Sequence, residues 1–372
     1  MSWRSFLALG VLLALPLPAK EAEPASLDLT RRYVLINATK IKDGQRLLEE
    51  AAAAGYRLLL AGSVGGERRL VLERSASSSG AFEYRVIRDK ELQPALEQAA
   101  AEGFRFHRRS FSSFAAAEKG PGPARRYQYR VLDTQRKSTL EKELNQAARE
   151  GWELAALVGL GYGAGQLAVL EKSLEMQVAP GEAGRGGAPT DYLLSAARRI
   201  GTLQRELSEK AAHGYRVRSG FLDGDEAAYV LEKTRASAEP CEYSLLSLDS
   251  AEKLEKAMND AAARGFRVQP EGMFLRLFRF FKMEMVVAME KAGAPPARFE
   301  YRVLYSSKEA ELRNQLTEAE KQGFSVVGMI GYETIIVERA LASASSEKPG
   351  WVYEGQSQVV GRDGGKNLVD EF

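Results

Sequence analysis

The stretch YQYRVLDTQRKSTLEKELNQAAREGWELAALVGLGYGAGQLAVLEK, residues 127–172, contains one complete structural unit in chain order. Its tyrosine-bearing opening, around Tyr129, reads as a strand. Leu140, Leu144 and Ala147 then recur at steps of four and three, which puts them in one stripe of a helix with charges elsewhere. Gly151 suits the left-handed residue that ends many helices, and Trp152 after it can fold back on the last turn. WELAALV and QLAVLEK follow as two short β-rich runs separated by turn residues, which reads as a hairpin.

The same order recurs along the chain. Opening strands carry Tyr33, Tyr84, Tyr129, Tyr192, Tyr243 and Tyr301. A glycine followed by an aromatic recurs at Gly55, Gly103, Gly151, Gly214, Gly265 and Gly323. The interval from tyrosine to glycine is 22 residues in five copies and 19 in the second, a spacing that chance does not hold. Seven residues before each glycine stand Leu48, Leu96, Leu144, Leu207, Met258 and Leu316. Four residues earlier stand leucines in every copy but the first, which has Gly44. The fold class expected is therefore α+β: six tandem β-α-β-β repeats, each a small, mainly antiparallel sheet covered by one helix. One unit of this size is marginal alone, so neighbours must pair sheet edges or share faces.

The units are placed at 31–74, 82–119, 127–172, 191–233, 241–291 and 299–339. A Gly/Pro-rich linker at 173–190 suggests the main division, with three repeats on either side. Residues 340–372 are polar and read as a disordered tail. At the other end, Arg4 precedes the apolar run Phe6–Leu15, and Pro16 and Pro18 break it before Ala19. This run is too short for a membrane-spanning helix and reads as a signal peptide, residues 1–19. A periplasmic or extracellular location follows as an expectation.

Composition excludes several classes. With 52 basic and 50 acidic residues there is no basic face for nucleic acid. Cys241 is the only cysteine, so no internal disulfide can form. Two histidines, His107 and His213, cannot make a histidine-rich metal site, and no cofactor is expected.

The EYRVL-type opening, the helix ending in AAREGWEL and the closing VLEK resemble a small bacterial domain family of unknown function. Tyr129, Gly151, Trp152, Glu153, Leu154 and Val169–Lys172 carry that resemblance best. The other copies replace Trp by Tyr or Phe. The resemblance implies the fold and brings no catalytic residue, because the family has no established activity.

Individual motifs have plain readings. GLGYGAG (159–165) leads into a strand rather than a helix and reads as a hairpin turn, not a phosphate loop. Asp223–Glu226, DGDE, lies at a hairpin turn and lacks the ligand spacing of a calcium loop. Ser250 and Lys253 form an S-x-x-K without its companion motifs. The repeated tyrosines read as core residues with their hydroxyls at the rim, and the closing Glu-Lys or Glu-Arg pairs as solvated strand ends. His107, Arg108 and Arg109 read as a polar strand face, with an anion as the alternative.

Outside the shortened second copy, length variation is confined to the hairpins. From capping glycine to closing glutamate the distances are 18, 15, 20, 18, 25 and 15 residues. The fifth hairpin is longest, and its Phe274, Arg276, Phe278, Arg279, Phe280, Phe281 and Lys282 form the candidate binding set. The expected function is an exported, non-catalytic interaction or scaffold protein of the bacterial envelope that binds an envelope or extracellular protein. The alternatives are a hydrolase with a site between repeats, or peripheral membrane contact through the fifth hairpin.

Overall fold

A computed structural model describes residues 27–341, apart from 38–39, 65–66, 76–81, 88–91, 110–114, 122–124, 135, 160–165, 175–188, 235–238, 279–281, 293–297 and 332. The expected signal peptide and nearly all of the expected tail lie outside the described residues.

Each unit runs strand, helix, strand, strand. Unit 1 comprises β1 (Tyr33–Asn37), α1 (Ile41–Ala53), β2 (Tyr56–Val64) and β3 (Glu67–Arg74). Unit 2 comprises β4 (Glu83–Ile87), α2 (Leu92–Ala101), β5 (Arg105–Phe106) and β6 (Ala115–Lys119). Unit 3 has β7 (Tyr127–Leu132), α3 (Lys137–Arg149), β8 (Glu153–Gly159) and β9 (Gln166–Ser173). Unit 4 has β10 (Pro189–Ala197), α4 (Ile200–Ala212), β11 (Arg216–Asp223) and β12 (Glu226–Thr234). Unit 5 has β13 (Glu242–Leu248), α5 (Ala251–Ala262), β14 (Arg267–Phe278) and β15 (Lys282–Lys291). Unit 6 has β16 (Arg298–Tyr305), α6 (Glu309–Lys321), β17 (Ser325–Ile330) and β18 (Thr334–Leu341).

The result is six separate three-stranded sheets, each with its closing strand in the middle, antiparallel to both neighbours. The first and second strands of every unit are therefore edges.

The glycine that ends each helix has φ between 83° and 91°. Those values lie in the left-handed region, where a side chain costs roughly 1–2 kcal/mol. In five units the aromatic N–H then reaches the carbonyl five residues back, as from Trp152 to Ala147 at 3.0 Å, and the glycine N–H reaches the carbonyl three back. This double hydrogen bond fixes the angle at which the chain leaves the helix. The stripe leucines of the helices, with Met258, are all buried.

The helix of each unit also packs on the sheet of the next. Helix α1 shares its core with Tyr84 and Ala116 of unit 2, and α2 with Tyr129 and Val169 of unit 3. The pattern continues from α3 to unit 4, α4 to unit 5 and α5 to unit 6. Helix α6 then packs on Tyr33, Leu35, Leu60 and Val71 of unit 1. The chain therefore closes on itself, and every unit touches two neighbours. Units 3 and 4, joined through the Gly/Pro-rich segment, share a core built as at the other joints.

The second strands β8, β11, β14, β17 and β2 follow one another in contact on the inner side of this ring. A side chain at Gly328 would place its Cβ 1.8 Å from the Met273 methyl, and one at Gly62 would lie 2.6 Å from the Gly331 carbonyl. Glycine at these two sites lets the inner strands approach. In unit 2 the inner strand is cut to two residues, and His107, Arg108 and Arg109 beyond it reach units 1, 3, 5 and 6.

An edge strand displays unpaired amides and carbonyls that invite foreign strands. Here the preceding helix supplies an amide side chain that covers them. Gln45 donates to the Tyr84 carbonyl at 2.8 Å and accepts from the Val86 N–H at 2.8 Å. Gln93 and Gln204 do the same for the strands carrying Tyr129 and Tyr243. At the joints between units 3 and 4 and between units 5 and 6 the duty is divided. Asn145 and Asn259 bracket the backbone of Tyr192 and Tyr301, while Glu141 and Glu255 accept from Leu194 and Val303. Gln93→Ala should destabilise the protein by about 1–2 kcal/mol, since it removes two hydrogen bonds from a half-buried edge. A urea midpoint lowered at unchanged slope would show it.

Candidate functional site

The repeated polar residues converge at the joints. Each opening-strand tyrosine sends its hydroxyl into the preceding unit and accepts a backbone N–H there. The donors are Leu58 to Tyr84 at 2.7 Å, Phe106 to Tyr129 at 2.8 Å and Leu154 to Tyr192 at 2.9 Å. Val217 to Tyr243 at 2.8 Å, Val268 to Tyr301 at 3.1 Å and Val326 to Tyr33 at 3.3 Å complete the circle. Tyr84, Tyr129, Tyr243 and Tyr301 in turn donate to the closing glutamates of their own units, Glu118, Glu171, Glu290 and Glu338. Burial and the adjacent glutamate hold these four hydroxyls well above the ordinary phenol range, so they stay protonated donors.

The same glutamates meet an arginine two places after the preceding unit's glycine. Arg57 pairs with Glu118 at 2.7 Å and Arg105 with Glu171 at 2.8 Å. Arg216 pairs with Glu290 and Arg267 with Glu338. Between units 6 and 1 that position is Ser325. Arg32 of unit 1 pairs with Glu73 there at 2.7 Å and donates to Ser325 at 3.2 Å.

The basic residue after each closing glutamate has a second use. Arg74, Lys119, Lys172, Lys233, Lys291 and Arg339 lie over the aromatic that follows their own unit's glycine, 4.7 to 5.9 Å from the ring centre. Each such contact contributes about 0.5–1 kcal/mol at an exposed site. The Glu-Lys and Glu-Arg pairs are thus joint and cap residues as well as strand ends. The tyrosine hydroxyls, expected at the rim, lie within the joints.

A second joint departs further from the pattern. Between units 3 and 4 the arginine position holds Glu153, whose charge acts on the closing Glu232. Arg218 takes over part of the missing role. It lies 3.5 Å from Glu232 and donates to the Leu154 carbonyl at 2.7 Å. Arg108 of unit 2 bridges Glu171 at 3.0 Å and Glu153 at 3.4 Å. Arg109 crosses further, donating to the Val327 carbonyl of unit 6 at 2.7 Å and lying 3.8 Å from Glu271 of unit 5. Charged residues from units 2, 3, 4 and 5 thus form one cluster in the middle of the ring. His107, read with its neighbours as a polar strand face, meets the Leu58 carbonyl at 3.1 Å through Nε2, and burial lowers its pKa.

Other motifs fall where the chain path needs them. Gly224 at φ 61° makes a tight turn between Asp223 and Glu226, and Lys137 of unit 3 pairs with both acids. Ser250 caps α5 by accepting the Lys253 N–H at 3.3 Å. His213 caps α4 through Nδ1 on the Glu209 carbonyl. Cys241 is buried against the core shared by units 4 and 5, where burial raises its thiol to about 11. Residues 160–165 of GLGYGAG lie outside the described residues, between paired ends Gly159 and Gln166.

In the fifth hairpin, Phe274 packs edge-on against Tyr229 of unit 4 at 5.6 Å. Arg276 is buried, 3.2 Å from Glu284 and donating to the Arg198 carbonyl at 3.3 Å. Both are spent on the joint between units 4 and 5. Phe278 and Lys282 are the last paired positions of β14 and β15. Their side chains, and Arg279, Phe280 and Phe281 entirely, lie outside the described residues.

An open groove of about 600 Å³ runs between α5, β16 and α6, lined by Glu252, Lys256, Arg302 and Tyr305 among others. Among the described residues no helix is long and apolar enough to cross a membrane.

No family model, curated protein or solved structure matches this chain.

The recurring Tyr–Glu–Arg set was missed in the sequence. A signal was present: Arg57, Arg105, Arg216 and Arg267 share one offset from the capping glycine. Each finds its glutamate only in the following unit, which spacing within one unit does not reveal.

Proposed function

We propose that the protein is an exported, non-catalytic interaction or scaffold protein of a bacterial envelope that binds a protein partner through its variable hairpins. The kinship with the small bacterial domain family is part of the same proposal. The observation that carries it is the division of labour within each unit. Tyrosine, glutamate and arginine, the recurring residues able to do chemistry, are engaged with one another across the joints. Variation falls on the hairpins, whose inner strands range from two residues in β5 to twelve in β14. A constant scaffold carrying variable loops is the arrangement that recognition proteins use.

The inner half of the fifth hairpin is committed to packing, so binding falls to its outer end, residues 278–282. The test is cross-linking in intact envelopes followed by affinity capture. It compares the natural chain with a Phe278→Ser, Arg279→Glu, Phe280→Ser variant whose circular dichroism and melting are unchanged. Capture of one defined protein by the natural chain and its loss with the variant is expected. Equal capture by both would sink the assignment to this hairpin.

A further inference from the structure

The joint between units 3 and 4 differs from its sisters in the sign of its charges. At the other joints a glutamate meets an arginine. At the unit 2–unit 3 joint the charged carboxylate of Glu171 is the tight form. Burial alone would raise its pKa, but Arg108 and Arg105 outweigh burial and hold it below the usual carboxylate range.

Glu232 occupies the equivalent position in unit 4 and has the opposite surroundings. The groups facing it are Arg218 from β11, Glu153 from β8, Glu271 from β14, Arg108 from the segment after β5, and the Tyr192 hydroxyl from β10. Two of the five are carboxylates. Its nearest cation, Arg218, is 3.5 Å away and divides its donors between Glu232 and the Leu154 carbonyl. Desolvation and Glu153 raise the Glu232 pKa even though Arg218 lowers it.

We propose that the inner edge of this joint is a proton-operated clamp, tight when Glu232 is protonated and loosened when Glu153 and Glu232 are both charged. A carboxyl whose folded pKa lies above its unfolded value stabilises fully below the unfolded pKa. That contribution is lost as pH rises through the folded pKa. Glu171, with a lowered pKa, behaves in reverse: its contribution is present above the unfolded pKa and is lost as pH falls through the folded one. Acidification therefore tightens the unit 3–unit 4 clamp while it weakens the unit 2–unit 3 clamp. The ring redistributes its firmness with pH instead of loosening evenly. Arg109 and Arg108 tie this joint to units 2, 5 and 6, so the change is felt in the middle of the ring.

The reporter is the Leu154 amide, which donates to Tyr192 across this joint. Its sister reporter is the Phe106 amide, which donates to Tyr129 across the preceding joint, between units 2 and 3. Hydrogen exchange of peptides covering these two amides, each corrected for intrinsic rate, is followed from pH 4 to pH 8 on the full chain. The ratio of Leu154 to Phe106 protection should fall as pH rises. The change should be about tenfold for each unit by which the two glutamates are displaced from one another. Glu232→Gln should flatten the Leu154 profile, and Glu153→Arg, which restores the sister arrangement, should make it follow Phe106. A ratio independent of pH in the natural chain would overturn the proposal. So would a Leu154 profile that Glu232→Gln leaves unchanged.

Discussion

Replacing Glu171 by alanine should destabilise the protein by about 3–5 kcal/mol, the range for breaking a buried ion pair from one side. The Glu171 side chain is only 3% exposed and serves three partners: Arg105, Arg108 and the Tyr129 hydroxyl. Removing the carboxylate leaves two guanidinium groups facing each other and a buried hydroxyl without its acceptor. Glu171→Gln keeps the shape and one acceptor oxygen and should cost less. The pH dependence separates charge from packing. In the natural chain the contribution of Glu171 is present above the ordinary carboxylate range and is lost as pH falls through its lowered folded pKa. In the glutamine variant that part of the acid sensitivity should disappear. Urea midpoints of the three proteins across the acid range measure both effects. A loss under about 1 kcal/mol for the alanine variant would mean that the arginines find other partners.

A chain ending at residue 292, lacking unit 6, should fail to give a well-packed monomer. In a linear array, a terminal unit contributes one interface and its loss leaves a shorter array of similar character. In this ring the loss opens two interfaces at once. Tyr33, Leu35, Leu60 and Val71 lose the cover of α6, and the outer face of α5 loses Tyr301, Val327 and Ile336. All of these are buried in the closed ring. Exposed apolar faces of that size drive association. Size-exclusion chromatography and dye binding should report aggregated or loosely packed material, and near-ultraviolet dichroism should be lost. A monomeric fragment with a cooperative melt would argue that unit 6 is an appendage and that closure contributes little.

The unit itself was readable because its determinants are local. Periodic leucines, a left-handed glycine and the aromatic behind it all act within one turn or one hairpin. The shortened interval of unit 2 likewise appears as a helix of ten residues where four of the others have thirteen. Closure was not readable. It depends on the angle at which one unit meets the next, and that angle is set by side chains packing across the joints. The functions of Tyr84, Glu118 and Arg57 were hidden for a related reason. The three meet in space across 61 residues of chain, so each looked like an ordinary strand residue in its own unit. Phe274 and Arg276 enter the fifth hairpin's candidate binding set by composition and hairpin length alone. Their places beside Tyr229 and Glu284 show that a hairpin's length is no guide to how much of it is free.

Closure also imposes an order on how the molecule is made. Five of the six joints form between consecutive units and can assemble as the chain emerges. The sixth joins Tyr33 to Val326, 293 residues apart, and cannot form until the last hairpin has been synthesised. Until then the apolar face of the first unit has no partner within its own chain. The search that ends this wait carries a loop-closure cost that grows only slowly with length, so the delay is a matter of timing more than of equilibrium. Meanwhile that face is open to capture by the last unit of another chain, and a swapped pair would satisfy the same contacts. The ring's growth is thus vulnerable at one moment, just before completion, and a holding factor would have its greatest effect there.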